Sequence, residues 1–298
     1  MPALIDALRE GFRAEISVPP RHHHSMPVPG GQDATLLLMP AWQSGRHYGV
    51  KLVSIFPDNG DKGLPAVQGL YLLASGETGE PLALLDGQML TVRRTAAASA
   101  LAASYLARQG AATLTMVGTG ALAPHLIEAH CSARPIERVL IWGRNSDKAQ
   151  ALAEQVAPLA SRVEAVASLE EAVGQADIIS CATLSRDPLV LGDWLQPGQH
   201  LDLVGAFTPE MRESDDRAVQ RAEVYVDTLE GAPREGGDIA MPLAAGVLTR
   251  DDLRGDLFGL CRGSVPGRQD AEAITLFKSV GHALEDLVAA QLAYAEAS

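Results

Sequence analysis

Cysteine is scarce in this chain: Cys131, Cys181 and Cys261 are the only three in 298 residues, and no two form a CxxC pair. An odd, scattered set excludes a disulfide framework and a thiolate zinc site, and fits reduced thiols in a cytosolic protein. Positive charge is also in short supply, with 24 Lys and Arg against 37 Asp and Glu and a formal net charge of −13. A field of that sign repels phosphate backbones and anionic lipid, so neither nucleic acid nor a membrane surface is an expected partner. Any anionic ligand must then be held by locally placed cations. No apolar run approaches the roughly 20 residues needed to span a bilayer. The opening "MPALIDALREGFRAE" lacks the basic n-region and apolar h-region of a signal peptide. It reads as an amphipathic helix with Leu4, Ile5, Leu8 and Phe12 on one face. A cytoplasmic location is the expectation. Internal repeats, low-complexity segments and long linkers are absent as well.

What is present suffices for two domains. Hydrophobic residues make up 47% and charged residues 20%, a globular composition with enough length for a sizeable core. Through residue 90 the runs "ATLLLMPAW", "HYGVKLVSIFP" and "GLYLLAS" read as strands, and "ASGETGEPLALLDG" as a hairpin around Glu77–Gly79. An Ala-rich helix over about Thr91–Arg108 follows. From Ala112 the rhythm becomes strand and helix in alternation, with "TLTMVG", "RVLIWG", "RVEAVA", "DIISCAT", "HLDLVGA" and "EVYVD" as the strands. That alternation predicts an α/β fold, a doubly wound parallel sheet covered on both faces. Beyond about residue 265, "AEAITLFKSVGHALEDLVAAQLAYAEA" reads as a long helical tail.

The stretch "TLTMVGTGALAPHLIEAH" runs strand, G-T-G-A-L-A, helix. Gly118 permits the tight turn, Gly120 lets the backbone approach a pyrophosphate, and Ala123 allows close helix–sheet packing, while the helix N-terminus offers free N–H groups. Gly118, Thr119, Gly120, Ala121 and Leu122 are therefore candidate cofactor residues. The next strand ends at Gly143, 25 residues after Gly118, where an NAD enzyme would carry Asp or Glu for the ribose 2′-hydroxyl. Arg144, Asn145 and Ser146 follow instead, a pattern suited to the extra phosphate of NADPH, with NADH the weaker cofactor. Thr183, at the end of "DIISCAT", is expected in the same site.

Three cations stand in apolar surroundings: Arg21 after two prolines, Lys51 inside "YGVKLVSIF", and Arg94 in "LTVRRTAAASALAASYLA". Alternation puts Lys51 on one face of its strand with Gly49 and Val53. Such residues seldom sit buried without partners, and three in one domain of a nucleotide enzyme predict a carboxylate grip. The run His22–His23–His24 is not read as a metal site. His22 and His24 can converge on an extended segment, His23 cannot join them, and the domain offers no evident further ligand. Arg21 is the chemical residue of that stretch and the histidines are wall or surface.

Taken in order, "PPR" (Arg21), "LLLMPAW", "YGVKLVSIFPDN" (Lys51), "LTVRRTAAASALAA" (Arg94–Thr95), "VGTGALA", "IWGRNSDKA", "VGAFTPEMRESDD" and "ITLFKSVGHALEDL" resemble the ornithine cyclodeaminase/μ-crystallin family over nearly the whole chain. The resemblance implies a homodimer of two-domain subunits: an α+β substrate and dimerisation domain over 1–105, completed by a C-terminal helix over 270–298, around a Rossmann domain over 106–269. It implies that Arg21, Lys51 and Arg94 hold a substrate carboxylate, Lys51 and Arg94 being catalytic, and that Thr95, Lys278 and Ser279 approach the cofactor. Leu122 stands where many relatives carry glutamine. Ala206 stands where the cyclodeaminases carry a catalytic aspartate, and "VGAFTPEMRESDD" is similar to the version in Δ1-pyrroline-2-carboxylate and Δ1-piperideine-2-carboxylate reductases. The nearby acids Glu210, Glu213, Asp215 and Asp216 are expected to cap the helix that follows. The implied activity is NADPH-dependent reduction of a small cyclic imino acid. The other activities that the family implies are ornithine cyclodeamination, amino-acid dehydrogenation, and ligand binding of the μ-crystallin kind.

Overall fold

The computed structural model describes residues 1–297. Along the chain run α1 (Pro2–Arg13), β1 (His22–Met26), β2 (Ala34–Gln43), β3 (His47–Ile55), β4 (Val67–Ser75), β5 (Pro81–Asp86) and the long helix α2 (Gly87–Leu106). Strand and helix then alternate through β6 (Thr113–Val117), α3 (Ala123–Ala133), β7 (Arg138–Trp142), α4 (Ser146–Val156), β8 (Arg162–Ala165), α5 (Leu169–Gln175), β9 (Ile178–Cys181) and β10 (His200–Leu203). There follow α6 (Asp216–Arg221), β11 (Ala222–Val226), α7 (Ala232–Glu235), α8 (Gly237–Ala244), β12 (Leu253–Asp256), α9 (Leu257–Arg262), β13 (Ile274–Lys278) and α10 (Ala283–Ala297). Two compact units emerge: Met1–Asp6 with Thr95–Gly281, and Ala7–Arg94 with His282–Ser298. The first boundary thus falls inside α2, between Arg94 and Thr95, rather than at residue 105.

The larger unit holds a sheet of eight strands among the described residues, all paired parallel, in the order β12-β11-β13-β10-β9-β6-β7-β8. Strand order runs one way from β6 to β8 and the other way from β6 to β9 and β10. The turn after β6 therefore lies at a topological switch point, where doubly wound sheets bind nucleotides. One face of the sheet packs Val117, Ile179, Cys181, Leu201, Leu203, Val224, Val226 and Leu276 into one continuous core, while the other buries the polar residues Ser180, His200, Asp202 and Thr275. The fold is α/β, a Rossmann-type doubly wound sheet with a second α+β unit.

One expectation is corrected here. The tail over 270–298 is not all helix: Ile274–Lys278 forms β13, inserted between β10 and β11, and helix begins only at Ala283. All five β13 residues are buried, Thr275 and Lys278 included, because a parallel strand covered on both faces loses the period-2 pattern that would mark it. β13 and Lys278 accordingly belong to the larger unit.

The smaller unit is an antiparallel meander, β1-β2-β3-β4-β5 in sequence order. Register places Met39 opposite Lys51 and Lys51 opposite Tyr71, so one face carries all three. α10 packs on β2, β3 and β4. Residues of opposite parity, including Leu52, Leu70 and Leu84, point away and remain 42%, 45% and 69% exposed. Among the described residues, no helix is long and apolar enough to cross a membrane.

Candidate active site

The smaller unit gathers the three predicted cations. Lys51, only 2% exposed in mid-β3, places Nζ 2.8 and 3.0 Å from the two carboxylate oxygens of Asp286 and 3.4 Å from Thr91 Oγ1. Arg94 donates from Nε to Asp286 Oδ1 at 2.9 Å and from Nη1 to Glu285 Oε2 at 2.8 Å. Burial drives the Lys51 pKa down to about 8; Asp286 opposes the shift, and the charges of Arg94 and Arg21 add to it. Burial raises the Asp286 carboxyl, yet Arg94 and Lys51 outweigh it and hold the group below its ordinary value. Lys51 and Arg94 are thus held by the two buried carboxylates, with the charge of Arg21 close enough to act on Lys51. Glu285 and Asp286 escaped the sequence reading, although two adjacent acids in the otherwise apolar "HALEDLVAAQLAYA" were a visible signal. Tyr71 closes the cluster, its buried hydroxyl lying where a side chain at position 49 would stand, so that Gly49 is required there.

In the larger unit, the turn after β6 meets the demands of a phosphate loop. Gly118 has φ +116°, and a Cβ there would lie 2.7 Å from the Ala182 carbonyl oxygen. Gly120 is exposed, with nothing within 4 Å of where its Cβ would stand. Asn145, Ser168, Asp215 and Asp256 cap α4, α5, α6 and α9 through their side chains, whereas α3 has no side-chain cap. At its start the Ala123 amide donates to the Gly120 carbonyl at 3.0 Å and Pro124 has no N–H, so an anion at this turn would have to be met by the loop residues that precede the helix. Thr119 fills the place that a side chain at Gly143 would take, its Cγ2 falling 2.7 Å from such a Cβ. A side chain at position 143 would require the Thr119 side chain to shift. Arg144, Asn145 and Ser146 are exposed beside it, the Asn145 side-chain oxygen accepting from the Lys148 amide at 3.0 Å. Ala121 is exposed and Leu122 half-buried on the same turn.

The carboxyl ends of β9, β10 and β13 bring together buried acids that were not anticipated. Glu213, expected to cap a helix, is fully buried and accepts from the Thr183 amide, the Thr183 hydroxyl and the Gly205 amide at 2.6, 2.8 and 2.7 Å. The cap of α6 is Asp215, which accepts from Ala218 N at 2.9 Å. Burial pushes the Glu213 carboxyl up to about 7, with Lys278 opposing and Asp238 adding. Lys278 directs its ammonium to Asp238, 3.0 Å away, and both side chains are fully buried. Ser279 donates to Asp227 at 3.2 Å, and the same carboxylate oxygen accepts from the Val280 and Gly281 amides at 2.7 Å. Thr95, the first residue of this part of the unit, is 7% exposed. The histidine run is an exposed strand, in which the rings of His22 and His24 share a side at 6.2 Å between centroids.

The family model for the ornithine cyclodeaminase/mu-crystallin family matches residues 1–298. The chain belongs to that family. Within the family, the Δ(1)-pyrroline-2-carboxylate reductase of Paracoccus denitrificans is 40% identical over 262 residues, 88% of this chain and 83% of the relative. Among solved structures, the Thermococcus litoralis Δ(1)-pyrroline-2-carboxylate reductase, in complex with NADH and L-proline, superposes with a TM-score of 0.91 at 35% identity. That match covers 99% of this chain and 92% of the other. An archaeal alanine dehydrogenase dimer with bound NAD gives a TM-score of 0.90 at 32% identity, covering 99% and 91%.

Proposed function

We propose that this chain reduces cyclic imino acids with NADPH, converting Δ1-pyrroline-2-carboxylate to L-proline and Δ1-piperideine-2-carboxylate to L-pipecolate. Its class is an NAD(P)H-dependent oxidoreductase acting on C=N bonds. The observation that carries the reading is the buried pair Lys51 and Arg94, oriented by Glu285 and Asp286 with Arg21 acting on Lys51, in a chain so similar to a reductase solved with L-proline. Gly118, Thr119, Gly120, Ala121 and Leu122 would hold the pyrophosphate, and Thr95, Thr183, Lys278 and Ser279 line the remaining proposed cofactor site. When bound, the reduced nicotinamide supplies the hydride. The chain's own contribution is to orient the substrate. Glu285 and Asp286 lock the Arg94 fork, so that carboxylate and imine carbon are fixed in one geometry. Ornithine would further require proton removal by a placed acid–base group, and Ala206 has none. Glu213, close by in sequence, is occupied by three hydrogen-bond donors.

A spectrophotometric screen tests the reading. NADPH oxidation is expected with pyrroline- and piperideine-carboxylate, and oxidation only with pyruvate plus ammonia would replace the reading with a dehydrogenase. The alkaline limb of that assay follows from Lys51. Its pKa is lowered to about 8, so the ammonium is present below that pH and lost above it. kcat/KM is expected to fall above pH 8, and Lys51→Arg to move the limb upward; an unmoved limb in an active variant would assign it elsewhere.

The cofactor preference rests on Gly143 and exposed Arg144. NADPH is expected to exceed NADH in kcat/KM by at least about tenfold, roughly 1.4 kcal/mol, and Arg144→Ala to erase most of that through the KM for NADPH. Equal use of both cofactors by the native chain contradicts it.

The same reading includes a cytoplasmic homodimer, with no nucleic-acid or membrane partner. Its support is the exposed apolar face bearing Leu52, Leu70 and Leu84, since monomers seldom leave so contiguous an apolar patch in water. Light scattering is expected to give two chains for the native protein and one for Leu70→Lys. A native monomer would remove this part of the proposal.

A further inference from the structure

Glu213 is a buried acid used neither by the carboxylate grip nor by the phosphate loop. β9 and β10 are adjacent parallel strands with Cys181 opposite Leu203, so Thr183 and Gly205 each lie two residues past a shared rung. The Glu213 carboxylate laces these two strand ends together through three donors. Gly205 comes so near the Thr183 backbone that a Cβ there would overlap it, and would also lie 2.6 Å from Glu213 Oε1. Behind this contact, the Glu213 and Ser214 amides donate to Asp238 Oδ1 at 2.7 and 3.2 Å, and Asp238 Oδ2 accepts from Lys278 at the end of β13. A continuous buried chain, Lys278–Asp238–Glu213–Thr183, therefore spans three strand ends on the nucleotide-binding edge of the sheet.

The direction of one bond in this chain matters. Each Glu213 oxygen already accepts a backbone amide, and above pH 7, where the carboxyl is ionised, it has no proton to give, so the Thr183 hydroxyl donates to it. Its oxygen is thereby presented as an acceptor, with only a long 3.4 Å contact from the Ser185 amide on that oxygen. We infer that Glu213 is a positioning residue that orients the Thr183 hydroxyl oxygen to accept a hydrogen bond from the nicotinamide-riboside half of the cofactor. The donor would be a ribose hydroxyl or the carboxamide N–H. This rests on the proposed reading of the chain as a nicotinamide-dependent reductase.

The test measures binding rather than turnover. Dissociation constants for NADPH and for 2′,5′-ADP, which carries only the adenosine half, are measured by fluorescence and calorimetric titration alongside thermal unfolding. Glu213→Gln keeps the volume but turns an NH2 group toward at least one donor. It is expected to raise the Kd for NADPH at least about tenfold and to leave 2′,5′-ADP within about twofold. Thr183→Val should weaken NADPH similarly and Thr183→Ser should not. The double variant Glu213→Gln/Thr183→Val should be no weaker than either single one, because both remove one contact. An unchanged NADPH Kd in Glu213→Gln, equal losses on both ligands, or additive losses in the double variant would overturn the inference. If Glu213→Gln does not fold, Thr183→Val against Thr183→Ser decides, and equal behaviour of that pair overturns it. A native protein that binds neither NADPH nor NADH would instead overturn the reductase reading itself.

Discussion

Replacing Arg94 by methionine is expected to lower kcat/KM for the imino acid by at least about a thousandfold, some 4 kcal/mol, while cofactor affinity stays within about threefold. The same substitution should cost stability. Arg94 bridges Glu285 and Asp286, both fully buried; Asp286 would keep Lys51, but removing one partner of such a buried pair typically costs about 3–5 kcal/mol. Arg94→Lys separates the two effects. A single ammonium can stay against Asp286 and recover most of the stability, but it cannot serve Glu285, Asp286 and a substrate carboxylate in one plane. Activity should remain down by about a hundredfold, as read from steady-state kinetics beside urea unfolding. Native-like kinetics in Arg94→Lys would show that the planar fork is not what holds the substrate.

Gly120→Val is expected to raise the cofactor Kd by at least about a hundredfold with almost no change in unfolding free energy. Nothing stands within 4 Å of a Cβ at that exposed position, so a side chain there meets no protein atom. A branched side chain there keeps the pyrophosphate from the backbone amides of the loop. Gly118→Val is the counterpart with the opposite weighting. Its backbone is at φ +116° and its Cβ would press on the Ala182 carbonyl, so the fold should lose about 2–4 kcal/mol as well as the cofactor. Fluorescence titration and thermal unfolding of both variants make the comparison. Undiminished cofactor binding by Gly120→Val would move the pyrophosphate away from this turn.

Much of this architecture was legible in the residues. The helix face of Leu4, Ile5, Leu8 and Phe12 is the buried face of α1, and each of the six named strand runs from Thr113 to Asp227 contains a strand of the parallel sheet. Period and turn chemistry carried those assignments, since a half-buried helix and strands bounded by glycine leave local marks. β13 left none. "ITLFK" is buried on both sides, Thr275 and Lys278 included, so no in–out alternation marks it, and the sequence before the final helix does not show where helix gives way to strand. β12, "LRGD", is a four-residue edge strand, too short and too polar to carry a pattern.

The candidate site divides in the same way. Arg21, Lys51 and Arg94 were visible as cations in apolar runs, because a charge is conspicuous where the neighbours are not charged. Their partners were not assigned, since Glu285 and Asp286 lie about 190 residues from Arg94 and only the tertiary fold brings them together. Glu213 was misread for a related reason. In "MRESDD" every acid looks like a helix cap, and only the strand-end geometry shows that Asp215 caps while Glu213 turns inward to Thr183 and Gly205.

The most direct measurement compares two reactions on one preparation of the protein. One is NADPH oxidation with Δ1-pyrroline-2-carboxylate, followed to L-proline by amino-acid analysis. The other is incubation of ornithine with NADP+, followed by ammonia and proline. The first is expected to proceed with one proline formed per NADPH consumed, and the second to be negligible, because Ala206 supplies no acid–base group. Ornithine turnover at a rate comparable with imine reduction, or NADPH consumption without proline, would contradict the account.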